Sequence, residues 1–395
     1  MSQPPDGTTH KSPQVRAWRV LHACEEAAPV SSLAEGQLCV GMRPQVLARE
    51  FWKDPATSSS PSLMNAWHAV RDWRHALNEA ESLTSVQIVH AHSFAAAMAA
   101  VRGSLPSVYD YRQTLEEVTA GESGAHAGPW MLRSFRVAEQ FALSRAGAVV
   151  AHSEGMKTIA CDGGAAPENV FVVADPLAAH ALVPDTDWAA LHGIDLGYHA
   201  VLFALPFMHG IEPALRAFAN VLAEVEHALL VFELGDLDRK NLLHMARELD
   251  VADNIRCISA AEHQHAMACA DLVLVPPNSE SRRENPAMLC AMAAGKAIVA
   301  ADVPENRHCS PEGRGVIWFR EGDTQHMAQQ AAFVARNTDF SRSLGESSRL
   351  YIADTRSPLV IGRRYDEVYK HAESRRRDNL PKIAVPRLYT ANAQV

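Results

Sequence analysis

Short apolar runs alternate with longer helix-patterned segments along the chain, and the alternation occurs twice. In the first half the runs are Arg19–Ala23, Gln45–Ala48, Gln87–His90, Ser107–Tyr109, Ala148–Ala151 and Val170–Val173, and in the second half Ala200–Ala204, Ala228–Glu233, Ile255–Ile258, Leu272–Val275, Ala297–Ala300 and Val316–Phe319. Helical spacing of apolar residues fills the gaps, over Ser62–Ser82 and Trp130–Arg145 first. It continues over Pro213–Val225, Arg239–Leu249, Glu262–Ala268, Asn285–Ala294 and Thr324–Arg336. Such strand–helix repetition predicts parallel sheets covered by helices on both faces. At 395 residues the chain exceeds what one core usually serves, so two doubly wound domains are expected.

The expected boundaries are 17–180 and 181–357, joined through a linker loop, Asp175–Tyr198, with a terminal helix, Pro358–Ser374, packing back across the first domain. Residues 1–16 and 375–395 lack pattern and are expected to fray. Two such sheets would place their carboxyl ends around a central cleft, where ligands of open α/β sheets bind.

A net charge of −9 argues against a nucleic-acid surface, which needs clustered Lys and Arg. Seven scattered cysteines without a CxxC pair suggest neither a disulfide framework nor a zinc site, and fit a reducing cytoplasm. Met1–Gln14 is polar with three prolines, and no run of about 18 apolar residues occurs, so neither a secretion signal nor a membrane span is expected.

One segment is more specific. Asp271–Ala301, DLVLVPPNSESRRENPAMLCAMAAGKAIVAA, resembles the donor-nucleotide motif of the family four glycosyltransferases, in which a strand leads into a helix ending EAMAAGKPVVA. Gly315–Phe319 with Glu321-Gly322-Asp323, and Arg364–Tyr369, are similar to that family's later motifs, and Val89–Ser93, Ser107–Arg112, Ala148–Glu154 and Glu168–Leu177 fall in its order. The resemblance spans nearly all of residues 17–372. It implies a GT-B fold, a nucleotide-diphosphate sugar in the second domain, an acceptor in the first, retention of anomeric configuration, and neither metal nor other cofactor. The acceptor, the oligomeric state and any peripheral membrane contact stay open.

The resemblance also has departures. Cys290 stands where the family holds the donor ribose with a glutamate, a charge-assisted bond no thiol replaces. Eight residues earlier the family has another glutamate, where Arg282 stands here between Glu280 and Glu284. In FALPFMHGIEP, Leu205 falls near the family's diphosphate-binding arginine and His209-Gly210 at its Lys-Gly. Loss of such cations removes one of the larger catalytic contributions. Cys24–Ser32 has no glycine where the family has a glycine-rich loop.

On the donor side the candidates are therefore His209, Gly210, Glu284, Asn285, Pro286, Ala287, Met288 and Cys290, and on the catalytic side His92, Asp110 and Arg112. Each has a plainer alternative. Asn285 before Pro286 reads equally as a helix N-cap. Cys290 reads as a small buried helix residue, and His209 as solvent-exposed. His92 is read as a substrate contact or as packing, pointing away from His90 and with no metal-ligating partner. Asp110 and Arg112 share one face and would serve the cleft or form a structural ion pair. A catalytically inactive scaffold binding a glycan or partner is the rival to a transferase.

Overall fold

The computed structural model describes residues 15–25, 28–48, 63–115, 117, 129–205, 212–234, 236–277 and 284–379. Twelve parallel strands fall into two six-stranded sheets. The first holds β1 (Arg19–Cys24), β2 (Arg43–Ala48), β3 (Ile88–Ala91), β4 (Ser107–Tyr111), β5 (Ala148–Ala151) and β6 (Val170–Val172), in the order β2-β1-β3-β4-β5-β6. The second holds β7 (Ala200–Ala204), β8 (Ala228–Glu233), β9 (Ile255–Ile258), β10 (Leu272–Val275), β11 (Ala297–Ala301) and β12 (Val316–Phe319), in the order β12-β11-β10-β7-β8-β9. All twelve runs expected as strands are strands, six with the same ends and six with ends shifted by one or two residues.

Each sheet reverses its direction of growth once, between β1 and β3 in the first and between β7 and β10 in the second. The crossovers on either side of such a point lie on opposite faces, so the carboxyl ends of the two strands open a crevice.

The inner strands are buried on both faces because a parallel sheet is covered on both by its crossovers, while β2, at the edge, is largely exposed. Alternate residues therefore feed two separate cores. Leu21, Ala23, Val89, Ala91, Tyr109 and Val149 pack on one face of the first sheet, under helices α2 (Leu63–Leu83) and α3 (Phe94–Ala100). Val20, Ile88, Val108 and Val150 pack on the other, against Ile361, Tyr365 and Tyr369. Those last residues belong to the final helix, α14 (Pro358–Asn379), which lies on α1 (Ala28–Cys39) and on the first sheet although it follows the second.

Two glycines permit that approach. A Cβ on Gly362 would stand 2.5 Å from the carbonyl oxygen of Gly36, and one on Gly36 would strike the backbone of Pro358. Trp18 Nε1 donates to Asp366 Oδ1 at 2.8 Å and secures the same contact. Burying Ile88 and Ile361 there contributes about 1.5 to 3 kcal/mol each.

The stretch expected as a linker loop, 175–198, is only partly loop. Thr186–Leu191 forms a helix, α6, capped by Asp185, and its Trp188 is buried with Ile194 in the core of the second sheet. An indole supplies enough apolar area to anchor a short helix that propensity alone would not hold. Upstream, the Leu177 amide donates to the Arg356 carbonyl and the His180 amide to the Ala293 carbonyl.

Five further helices among the described residues escaped the pattern: α1, α3, α5 (Glu154–Asp162), α11 (Pro304–Cys309) and α13 (Thr338–Arg356). In α3 residues 95–100 are all buried, so no polar face marks its period.

Candidate functional site

At the crevice of the first sheet the inward rows change character. Val20 is followed two residues on by His22, Ile88 by His90 and His92, Val108 by Asp110 and Arg112, and Val150 by His152. A period of two keeps each row on one face, so the apolar rows run straight into a polar cluster at the carboxyl ends. Register adds to this by pairing His22 with His90 across β1 and β3.

Asp110 is the hub. Its side chain is 0 % exposed, and Oδ2 accepts from His92 Nδ1 at 2.9 Å and from Arg112 at 3.2 Å, while Oδ1 accepts from His152 Nε2 at 2.5 Å. Arg112 also donates to Asp175 at 2.8 Å. Burial alone would raise the Asp110 pKa, but Arg112 and His152 outweigh it and hold the carboxyl well below its usual range. Reciprocally, Asp110 overcomes burial at His152 and raises that imidazole above its ordinary value.

A second set of bonds holds the other histidines. His22 Nε2 bonds Gln37 Oε1 at 2.9 Å, Gln37 Nε2 donates to the Tyr369 hydroxyl at 2.7 Å, and His90 Nδ1 lies 3.0 Å from the same hydroxyl. His22 Nδ1 faces His92 Nε2 at 2.9 Å. Burial, with His92 adding to it, takes His22 down to about 3 and His90 well below 6.5, so both are neutral at pH 7.

Two expectations are corrected here. His90 and His92 do not point to opposite faces: residues two apart share a face, and their rings lie tilted against each other at 4.3 Å between centroids. Nor does His92 lack a metal-ligating partner, because His22, His90 and His92 bring ligand atoms within 4.8 Å of one another. The signal in the sequence was the repeated switch from apolar to polar within rows, but joining His22 to His90 required the strand order.

At the crevice of the second sheet the side chains are spent differently. Asn285, 8 % exposed, caps α10 (Pro286–Ala293), its Oδ1 accepting from the Met288 amide at 3.2 Å and its Nδ2 donating to Asn306. Asn306 in turn donates to the carbonyls of Pro276 and Ala301, tying the turn to the ends of β10 and β11. Glu284 does not stand free for a ligand: it grips Arg356, whose side chain is 5 % exposed, through both guanidinium nitrogens. Met288 is buried in the core and Ala287, half-buried, packs against it, whereas Pro286 is exposed at the helix start.

Cys290 is exposed, contrary to the reading of a buried helix residue, because α10 turns Leu289, Ala291 and Met292 inward and leaves position 290 outside. Leu205 is 2 % exposed and packs in the core, so no side chain there reaches a diphosphate. His209, Gly210, Glu280 and Arg282 lie outside the described residues.

Among the described residues no helix is long and apolar enough to cross a membrane. Residues 198–337 match the family described as Glycosyl transferases group 1. A stretch of 160 residues is 23 % identical to the N-acetyl-alpha-D-glucosaminyl L-malate synthase of Bacillus anthracis, spanning 40 % of this chain and 41 % of that protein. Among solved structures, a glycosyltransferase from Rickettsia africae aligns with a TM-score of 0.64 at 12 % identity, over 90 % of this chain and 98 % of its own. Anabaena HepE in complex with UDP aligns at 0.59 and 16 % identity, over 89 % and 99 %. At such identities the likeness speaks for the fold, and it extends over both sheets. The chain is therefore a two-sheet α/β protein of the GT-B fold whose residues 198–337 match the group 1 glycosyl transferases.

Proposed function

We propose that the protein transfers a sugar, with retention of anomeric configuration, from a nucleotide-diphosphate donor at the second sheet to an acceptor received at the first. The observation that carries this reading is the capped start of α10 at the crevice between β7 and β10, inside the segment that matches the family. A helix N-terminus favours an anion by about 0.3 to 1 kcal/mol. HepE, solved with UDP and with UDP-glucose, supports a uridine nucleotide as the first donor to test.

On the acceptor side, Arg112 is the group of the three candidates that reaches the surface, with its side chain 37 % exposed against 0 % for Asp110 and 6 % for His92. Asp110 and His92 are positioning residues, which hold Arg112 and its neighbours in place.

Cys290 supplies the test. Its outward position is where a glutamate would meet a ribose, and Cys290→Glu adds a charge-assisted bond of about 1.5 to 3 kcal/mol. In calorimetric titration with UDP, the unaltered protein is expected to bind weakly and Cys290→Glu more than about tenfold tighter. If neither protein binds any nucleotide, the transferase reading falls. If Cys290→Glu weakens binding, the donor does not lie along α10.

A further inference from the structure

The three histidines at the crevice of the first sheet each bring one possible ligand atom within 4.8 Å of the other two. Each has an outer ring nitrogen fixed by a named partner: His22 Nε2 by Gln37 Oε1 at 2.9 Å, His90 Nδ1 by the Tyr369 hydroxyl at 3.0 Å, and His92 Nδ1 by Asp110 Oδ2 at 2.9 Å. The remaining nitrogens turn inward. An amide oxygen and a carboxylate both accept, so His22 carries its proton on Nε2 and His92 carries one on Nδ1. Their inward nitrogens then present lone pairs to each other at 2.9 Å. Such a contact becomes favourable when a cation lies between the two. The third free nitrogen, His90 Nε2, is fully buried and has no hydrogen-bond partner, its nearest charged neighbour being Asp110 Oδ2 at 3.9 Å.

We propose that His22, His90 and His92 bind one divalent transition-metal ion of the zinc class, with Gln37, Tyr369 and Asp110 as the outer partners that orient the three imidazoles. Neutral imidazole nitrogen is the donor such ions prefer, and three protein ligands leave a fourth position for water or a ligand oxygen. Ligating histidines characteristically bond a carboxylate or another oxygen through the second ring nitrogen, as all three do here. Metal–nitrogen bonds of about 2.0 to 2.1 Å set neighbouring ligand nitrogens about 3.3 Å apart, so the pair at 2.9 Å opens by a few tenths of an ångström while the third nitrogen, within 4.8 Å of both, draws in. The ion would pin β1 to β3 at the reversal of strand order. This inference does not depend on whether the second sheet holds a nucleotide.

The test is calorimetric titration of the full chain with zinc chloride, after chelator treatment and removal of any affinity-tag histidines, with circular dichroism as the check on folding. One equivalent is expected to bind. Gln37→Leu should weaken it by roughly 10- to 100-fold, as loss of an outer partner does, and His90→Gln and His22→Gln by more. His244→Gln, on the exposed face of a distant helix, should change nothing. Absence of stoichiometric zinc binding, or affinity unchanged in both histidine variants, overturns the site and leaves a shared proton between His22 and His92. Should the variants fail to fold, zinc-edge X-ray absorption of the unaltered protein decides: three imidazoles at about 2.0 to 2.1 Å support the site, and fewer overturn it.

Discussion

The two crevices occupy equivalent places in similar sheets yet are built from opposite materials. In the first, the rows of β1, β3, β4 and β5 end in histidine, aspartate and arginine side chains that bond one another and are roofed by α14. In the second, the corresponding rows stay apolar through Leu205 and Val275, and polarity enters through the backbone and Asn285 at the start of α10. A network of paired side chains is rigid and intolerant of deletion, because each lost member strands another in a low dielectric. A crevice made from a helix end and flanking loops can change its ligand by changing surface residues while its core stays intact.

Breaking this contrast should cost most at Asp110. Asp110→Ala removes the acceptor from His92, Arg112 and His152 together, and an expected loss of about 3 to 5 kcal/mol would appear as a lowered midpoint in urea unfolding. A loss below 1 kcal/mol would mean that the network is not the rigid element described.

Among the described residues the second crevice has a comparable pair, between Glu284 and Arg356. Arg356→Met is expected to cost about 3 kcal/mol by leaving Glu284 without its partner, again read from urea unfolding. If nucleotide binding by Cys290→Glu survives this change, the pair serves the fold rather than the donor.

Smaller still is Gly362→Ala, expected to cost about 1 to 3 kcal/mol by pushing α14 off α1. Measured as a drop in melting temperature, it should alter the first crevice, through Tyr369, and leave the second unchanged.

The smallest effect concerns Glu262, beside the second sheet, whose backbone and side-chain bonds with Ser259 lower its pKa to about 2. A depressed carboxyl contributes stability above its unfolded value, near 4.3, and loses it as pH falls through the folded one. The carboxylate is a third exposed, so the contribution is below about 1 kcal/mol. Glu262→Gln should therefore lower the melting temperature slightly at pH 7 and not at pH 2.

The strands were legible because runs such as Leu272–Val275 are apolar throughout, and a run bounded by polar turns has few alternatives to a buried parallel strand. The donor turn was legible as a motif, whereas its exposures were not: whether position 290 faces in or out depends on how α10 lies on the sheet. The histidine cluster was illegible for a similar reason. His22 and His90 are 68 positions apart, and they meet because β1 lies beside β3 rather than because of anything local. Asp110 and Arg112, two apart on one strand, were within reach of the pattern.

The return of α14 to the first sheet also bears on how the chain is made. A ribosome releases β1 through β6 long before Ile361, Tyr365 and Tyr369 exist, so Val20, Ile88, Val108 and Val150 emerge with one face of their sheet uncovered. Domains generally fold as they are synthesised, first part first. Here the first part cannot finish until the last is released, and for most of synthesis the nascent chain carries an apolar face of the kind chaperones recognise.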